Sequence, residues 1–175
     1  YYVRGLKIEE AIERIKKDNL FQYPTERQVS RLARACYKRL DALGNEQLVH
    51  ELASAPNEIA KQINLYAVMR YNRLVWEFMI QVIGEKYRNQ DMNFSRKDMN
   101  AFFSRLQAQD DSVAAWSDAT ITKIKSVLVR MLIETGYLDG LKDTTLNPVF
   151  LCEELERGIE ANNDYDALSA FNYFR

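Results

Sequence analysis

The chain has 175 residues, 47% of them hydrophobic, with 24 basic side chains, 25 acidic ones and a single histidine. That length makes one compact domain or two small ones with enough apolar content for a core. No run reaches the ~20 apolar residues of a membrane span, and the most apolar stretch, residues 74–83, is interrupted by Glu77 and Gln81.

Six Gly and three Pro leave few breaks in the chain, which favours long helices and a mainly α fold. Residues 6–17 carry Leu6, Ile8, Ala11, Ile12 and Ile15 at a helical period. Phe21, Tyr23 and Pro24 interrupt it, and Pro24 disfavours helix at Tyr23. A basic helix is expected over residues 25–43. Thr25 is its N-cap, Gln28 completes a Thr-x-x-Gln capping box, and Gly44 ends it. Asn45 caps a short helix through residue 52, and Pro56 or Asn57 opens the next. That helix is expected to run to residue 89 with a break near Tyr71 and Asn72. Its apolar load, from Ile59 to Ile83, is expected to form the core of an N-terminal unit. Gly84 within a helix costs about 1 kcal/mol relative to Ala unless it permits close packing or a bend.

Ser95, with Asp98 three residues on, starts another helix through Phe102, Phe103 and Leu106. Residues 107–116 read as a polar loop. Ser117 or Asp118 caps a helix over 119–134, closed by Thr135 and Gly136. Residues 137–151 are expected to form a short β-hairpin, winged-helix-like, although Pro148 restricts any second strand there to an edge. Residues 149–159 and 165–171 read as closing helices. The architecture expected is a compact helical protein of two packed subregions. Residues 1–90 hold the basic helix, residues 91–175 hold the wing, and the boundary falls in 89–94.

The net charge of −1 conceals a partition. Residues 1–50 carry 10 bases and 7 acids, residues 61–137 carry 11 and 8, and residues 138–175 carry 3 and 8. A nearly neutral protein can therefore present a basic surface, because its acids gather near its C-terminal end. In the basic helix, Arg27, Arg31, Arg34 and Lys38 recur at spacings of four, three and four, so they stack on one side. Val29, Leu32, Cys36, Leu40 and Leu43 fall on the other. No acid lies between Arg27 and Arg39. Exposed helices usually alternate Glu and Lys four apart. A row of like charges forgoes that stabilisation and suits phosphate contact, with Arg able to bind bidentately. A solvated helix face is the plainer reading of the same row. The second candidate face is Lys123 and Arg130, with Thr120 and Ser126 between and beside them, above a buried side of Ile121, Ile124, Leu128, Met131 and Leu132. Lys125 lies toward its flank. Arg70, Arg73, Arg96, Lys97 and Arg105 are further basic residues with no telling spacing.

The search for catalytic chemistry is negative. One histidine, His50, and two cysteines, Cys36 and Cys152, show no metal-ligand spacing. There is no Gly-rich phosphate loop and no nucleophile elbow. The expectation is a protein that is not an enzyme, with no cofactor, no metal and no small-molecule substrate. The N-terminus has no secretory signal pattern, and the cytoplasm is the expected compartment.

Residues 94–138 carry a recognisable set of motifs. Asp98, Phe102 and Phe103 make an Asp-x-x-x-Phe-Phe, Trp116 to Thr120 a Trp-Ser-Asp-x-Thr, and Val127 to Leu132 a Val-Leu-x-Arg-Met-Leu; Gly136, Tyr137 and Leu138 follow. The Glu-Lys-Tyr-Arg beginning at Glu85 and the Thr-Glu-Arg entry to the basic helix belong to the same pattern. With these, the chain from about residue 20 to about residue 155 resembles the BrxA family, a component of BREX bacteriophage-exclusion systems. The resemblance implies a mostly helical fold of the kind seen in the antitermination factor NusB. It also implies binding to double-stranded DNA and association with other BREX subunits. It brings no catalytic residues. Arg27, Arg31, Arg34, Lys38, Lys123 and Arg130 remain a nucleic-acid-binding set argued from charge geometry. An adaptor that docks acidic protein partners, and RNA binding in the manner of NusB, are the alternatives.

Overall fold

The structure, a computed structural model, describes Tyr2 and residues 5–174. It is mainly α-helical and divides into two compact units, Tyr1–Asn72 and Arg73–Arg175.

The first unit holds four helices: α1 (Ile8–Lys17), α2 (Glu26–Leu43), α3 (Glu46–Ser54) and α4 (Asn57–Tyr71). α1 ends in a Schellman turn. Asn19, at φ 47°, takes the left-handed position, and the Leu20 and Asn19 amides donate to Ile15 and Lys16 carbonyls. α1 and α2 pair through Ile12, Ile15, Val29 and Ala33, with Ile8 and Phe21 against the cluster. The buried line of α2 is Val29, Ala33 and Leu43. Leu32, Cys36 and Leu40, expected on the apolar side, are half-buried on its margins. Thr25 caps α2 by accepting from the Gln28 amide at 3.3 Å, and Gly44, at φ 60°, closes it. Asn45 caps α3 through the Leu48 amide at 3.1 Å. α4 is buried over much of its circumference, at Ile63, Leu65, Tyr66, Ala67 and Met69, as a central helix must be.

The second unit begins with α5 (Arg73–Phe78), which runs through a π-helical turn (Met79–Gly84) into α6 (Glu85–Arg88). Then come α7 (Arg96–Gln109), the single turn α8 (Asp111–Ala114), α9 (Asp118–Glu134), α10 (Glu153–Ala161) and a closing 3₁₀ turn (Tyr165–Phe171). The core is aromatic: Phe78 meets Phe102 edge-on with centroids 5.5 Å apart, and Phe102 meets Phe103 at 5.5 Å. Tyr137 is 1% exposed, and its hydroxyl donates to the Ala170 carbonyl at 2.9 Å, which removes the penalty of burying it. The expected Ser95–Asp98 capping box forms in full at the head of α7.

Three features depart from the sequence reading. The division falls at Asn72, whose extended backbone (φ −130°, ψ 107°) breaks the helix, and not in 89–94. The apolar run after Arg73 therefore builds the second unit. Residues 107–116 are not all loop: they include the end of α7 and α8, because Asp110 accepts from the Ser112 amide and caps α8. Residues 137–151 form no hairpin among the described residues. Instead Thr145 bridges Asn93, with the Phe94 amide donating to Thr144 and the Leu146 amide to Met92. Within the loop the Asp143 amide donates to Gly140 and the Asn147 amide to Tyr137, and the Asn147 side chain donates to Gly136 and Asp139. Turn residues near a Pro announce a reversal, but the better partner for 144–146 lay 50 residues upstream.

Candidate nucleic-acid interface

Arg27, Arg31, Arg34 and Lys38 are all exposed on one side of α2. With a rise of about 1.5 Å per residue the row runs roughly 16 Å. A duplex presents a phosphate every ~3.4 Å of axis on each strand, so several lie within its span. The four cations are not equivalent. Arg34 Nη2 donates to both oxygens of Glu9 on α1, at 3.1 and 2.9 Å, so its charge is already matched. Among the described residues no ion pair or hydrogen bond engages the side chains of Arg27, Arg31 or Lys38. The two acids of α2, Glu26 and Asp41, are also occupied. Asp41 accepts from the Tyr2 hydroxyl at 2.7 Å, and that bond above all, with burial and the Asp41 charge, pushes the Tyr2 pKa up to about 12. Glu26 lies 3.7 Å from Lys16. The row therefore holds three cations open and one in reserve, while Arg39, the fifth cation of α2, is half-buried off the row.

On α9, Lys123 and Arg130 are exposed and free of ion pairs among the described residues, about 10 Å apart along the axis. Of the expected buried side, Ile121, Leu128 and Leu132 are buried, whereas Ile124 and Met131 are half-buried. Ser126 and Thr120 are less available than the sequence implied. The Ser126 hydroxyl donates back to the Thr122 carbonyl at 2.9 Å, and the Thr120 hydroxyl lies 3.0 Å from that of Ser117. Lys125, on the flank, is engaged by α7. It donates to Asn100 on α7 at 2.7 Å and sits 5.2 Å above the Phe103 ring. It lines a cleft of about 750 Å³ between α7, α9 and the loop after α9. The two candidate rows belong to different units, α2 to the first and α9 to the second.

One charged cluster escaped the sequence reading. Lys86, with 11% of its side chain exposed, is 3.0 Å from Asp91 and 2.9 Å from Asp98. Burial opposes the Lys86 charge, but bonds to Asp98 and Asp91 outweigh it and raise its pKa. Burial likewise works against the Asp98 carboxylate, and is overcome by Lys86 and Ser95, so its pKa is lowered. Lys86 is the first cause of the lowered pKa of Asp91. This cluster ties the end of α6 to the start of α7. The capping pair Ser95 and Asp98 was visible in sequence, but nothing in the spacing announced a lysine nine residues earlier.

Among the described residues no group of three or more His, Cys, Asp or Glu side chains could hold a metal ion, and no helix is long and apolar enough to cross a membrane. The geometry thus defines a class: a two-unit helical protein whose distinguishing surface is a set of unpaired cations on helix faces. The BrxA family's sequence profile matches residues 1–163. A BREX protein BrxA of Bacillus cereus is 36% identical over 139 residues, 79% of this chain and 69% of the relative. Proteins of the same name from Paramagnetospirillum magneticum and Escherichia coli are 23% and 24% identical, covering 86% and 90% of this chain and 75% and 73% of the relatives. The chain belongs to the BrxA family. A crystal structure of an uncharacterized protein from Magnetospirillum magneticum has the same fold, with a TM-score of 0.81 at 20% identity over 97% of this chain and 86% of that one.

Proposed function

We propose that this protein is a non-catalytic, double-stranded DNA-binding component of a BREX defence system, acting in the bacterial cytoplasm alongside other BREX subunits. Its relatives are named BREX proteins. The observation that carries the DNA reading is the unpaired row Arg27, Arg31 and Lys38 on a rigid helix. Lys123 and Arg130 supply a second set of phosphate contacts. Arg34 joins only by exchanging Glu9 for a phosphate. Contacts of this kind read charge and spacing and carry no sequence information, so binding is weakly sequence-selective.

The test is a mobility shift on duplex DNA across a salt series. Each phosphate neutralised contributes a slope of about −0.9 in log affinity against log salt. Changing Arg27, Arg31 and Lys38 together to Glu is expected to abolish retention at moderate salt. The corresponding Ala variant is expected to flatten the slope by up to about 3. Equal binding by wild type and the Glu variant removes this site. The Arg34–Glu9 contact favours a second reading, since the same row already accepts a carboxylate: an adaptor that docks an acidic BREX subunit. Co-purification of a BREX subunit, lost in the Glu variant while wild type fails to bind duplex DNA, selects that reading. Competition by structured RNA against duplex DNA separates an RNA-binding role.

A further inference from the structure

The cleft of about 750 Å³ in the second unit is lined by Ser126 from the α9 face but by neither Lys123 nor Arg130. Its floor is apolar, formed by Met99 of α7, Val129 of α9 and Leu138 just after α9. Its rim carries three cations from three separate segments: Arg96 at the head of α7, Lys125 in mid-α9 and Lys142 in the following loop. None of the three has a carboxylate partner among the described residues. Lys125 meets a neutral amide, Asn100, and the Phe103 ring, and neither carries a compensating negative charge. Asp143 is the lone acid of the lining. The hydroxyls of Thr122 and Thr144 also line it, and among the described residues neither makes a side-chain hydrogen bond.

Unpaired cations around an apolar floor select an anion with a flat apolar body. We propose that this cleft binds an unpaired nucleotide, its phosphate on Arg96, Lys125 and Lys142 and its base face on Met99, Val129 and Leu138. A stacked duplex conceals base faces, whereas a single strand or a free nucleotide exposes them. The site is therefore distinct from the duplex row on α2, and it stands or falls independently of it.

The test titrates the full chain with a fluorescent oligo(dT) and, in competition, with AMP. Saturable oligo(dT) binding is expected, at least about tenfold weaker when Arg96, Lys125 and Lys142 are all changed to Gln. The salt slope is expected to flatten by roughly 2, from about 0.7 per phosphate on a single strand. Leu141→Glu is the second variant. Leu141 lines the cleft yet is 77% exposed, so the fold tolerates the change while the new charge repels a phosphate, and the same weakening is expected with an unchanged melting temperature. Displacement of oligo(dT) by AMP identifies a free nucleotide as sufficient, and absence of displacement identifies the unpaired strand as the ligand. The variant with Arg27, Arg31 and Lys38 changed to Glu is expected to lose duplex binding and keep oligo(dT). The proposal is overturned if neither probe binds saturably, if both cleft variants bind like wild type, if only the α2 variant loses oligo(dT), or if poly-glutamate binds the cleft and oligo(dT) does not.

Discussion

At Arg34 and Glu9 the difference between a charge and an available charge becomes visible. Both side chains are exposed, so the pair contributes little to stability, within about 1 kcal/mol. Its effect falls on the surface instead, by withholding one cation of the α2 row. Glu9→Gln is expected to leave the urea midpoint nearly unchanged while strengthening duplex retention, with a salt slope steeper by up to about 1. The row's spacing could be read from the sequence because helix periodicity is local. The pairing could not, because Glu9 lies 25 residues away on another helix. Lys86 makes the same point from the other side. It reads as an ordinary surface lysine beside Glu85, and only the fold brings Asp91 and Asp98 to it. Lys86→Met is expected to cost about 1–2 kcal/mol, between a surface and a buried pair, as measured by chemical denaturation.

Among the elements, the π-helical turn Met79–Gly84 ends on a glycine packed against the closing 3₁₀ turn. A Cβ at Gly84 would stand 2.6 Å from the Ser169 Oγ, 3.0 Å from its Cβ and 3.2 Å from its backbone carbon. The hydroxyl alone could rotate, but the backbone of the closing 3₁₀ turn cannot. Gly84→Ala would raise helix propensity, yet it is expected to destabilise the protein by about 1–3 kcal/mol, the range of overpacked cores. A lower melting temperature checks this, and partial rescue by Ser169→Gly would assign the cause to that contact. An apolar run with one glycine already hinted at close packing. What the glycine packs against was not legible, because the 3₁₀ turn lies more than 80 residues on. Caps were legible where they are local: Thr25, Asn45, Ser95 and Ser117 all accept from the first turn of their helices. Thr25→Ala is expected to cost about 1 kcal/mol. The pairing of the loop after α9 with Asn93 was not legible, because its turn residues fix a reversal without fixing which segment it joins.

For the whole molecule, the Lys86 cluster sets a pH dependence. Asp91 and Asp98 hold pKa values below their ordinary range when folded. They therefore stabilise the protein fully above about pH 4, and that contribution is lost as the pH falls through their lower folded values. Lys86, raised above its ordinary value, contributes fully below about pH 10 and loses its share above it. Denaturation midpoints are expected to drop as the pH falls below about 4, and Lys86→Met is expected to blunt that drop. The segregation of charge along the chain also works at this scale. The acids of residues 138–175 balance the basic segments in sum, so a pI near 6.0 conceals exposed cation rows. Local sequence was enough for the helical class, the caps at Thr25, Asn45, Ser95 and Ser117, and the side of α2 that carries its cations, since each depends on residues within a few turns of one another. Tertiary structure alone decided where the chain divides, which cations keep a partner, what Thr145 pairs with and that a cleft rimmed by Arg96, Lys125 and Lys142 exists. These depend on residues far apart in sequence, and no local period records which of them meet.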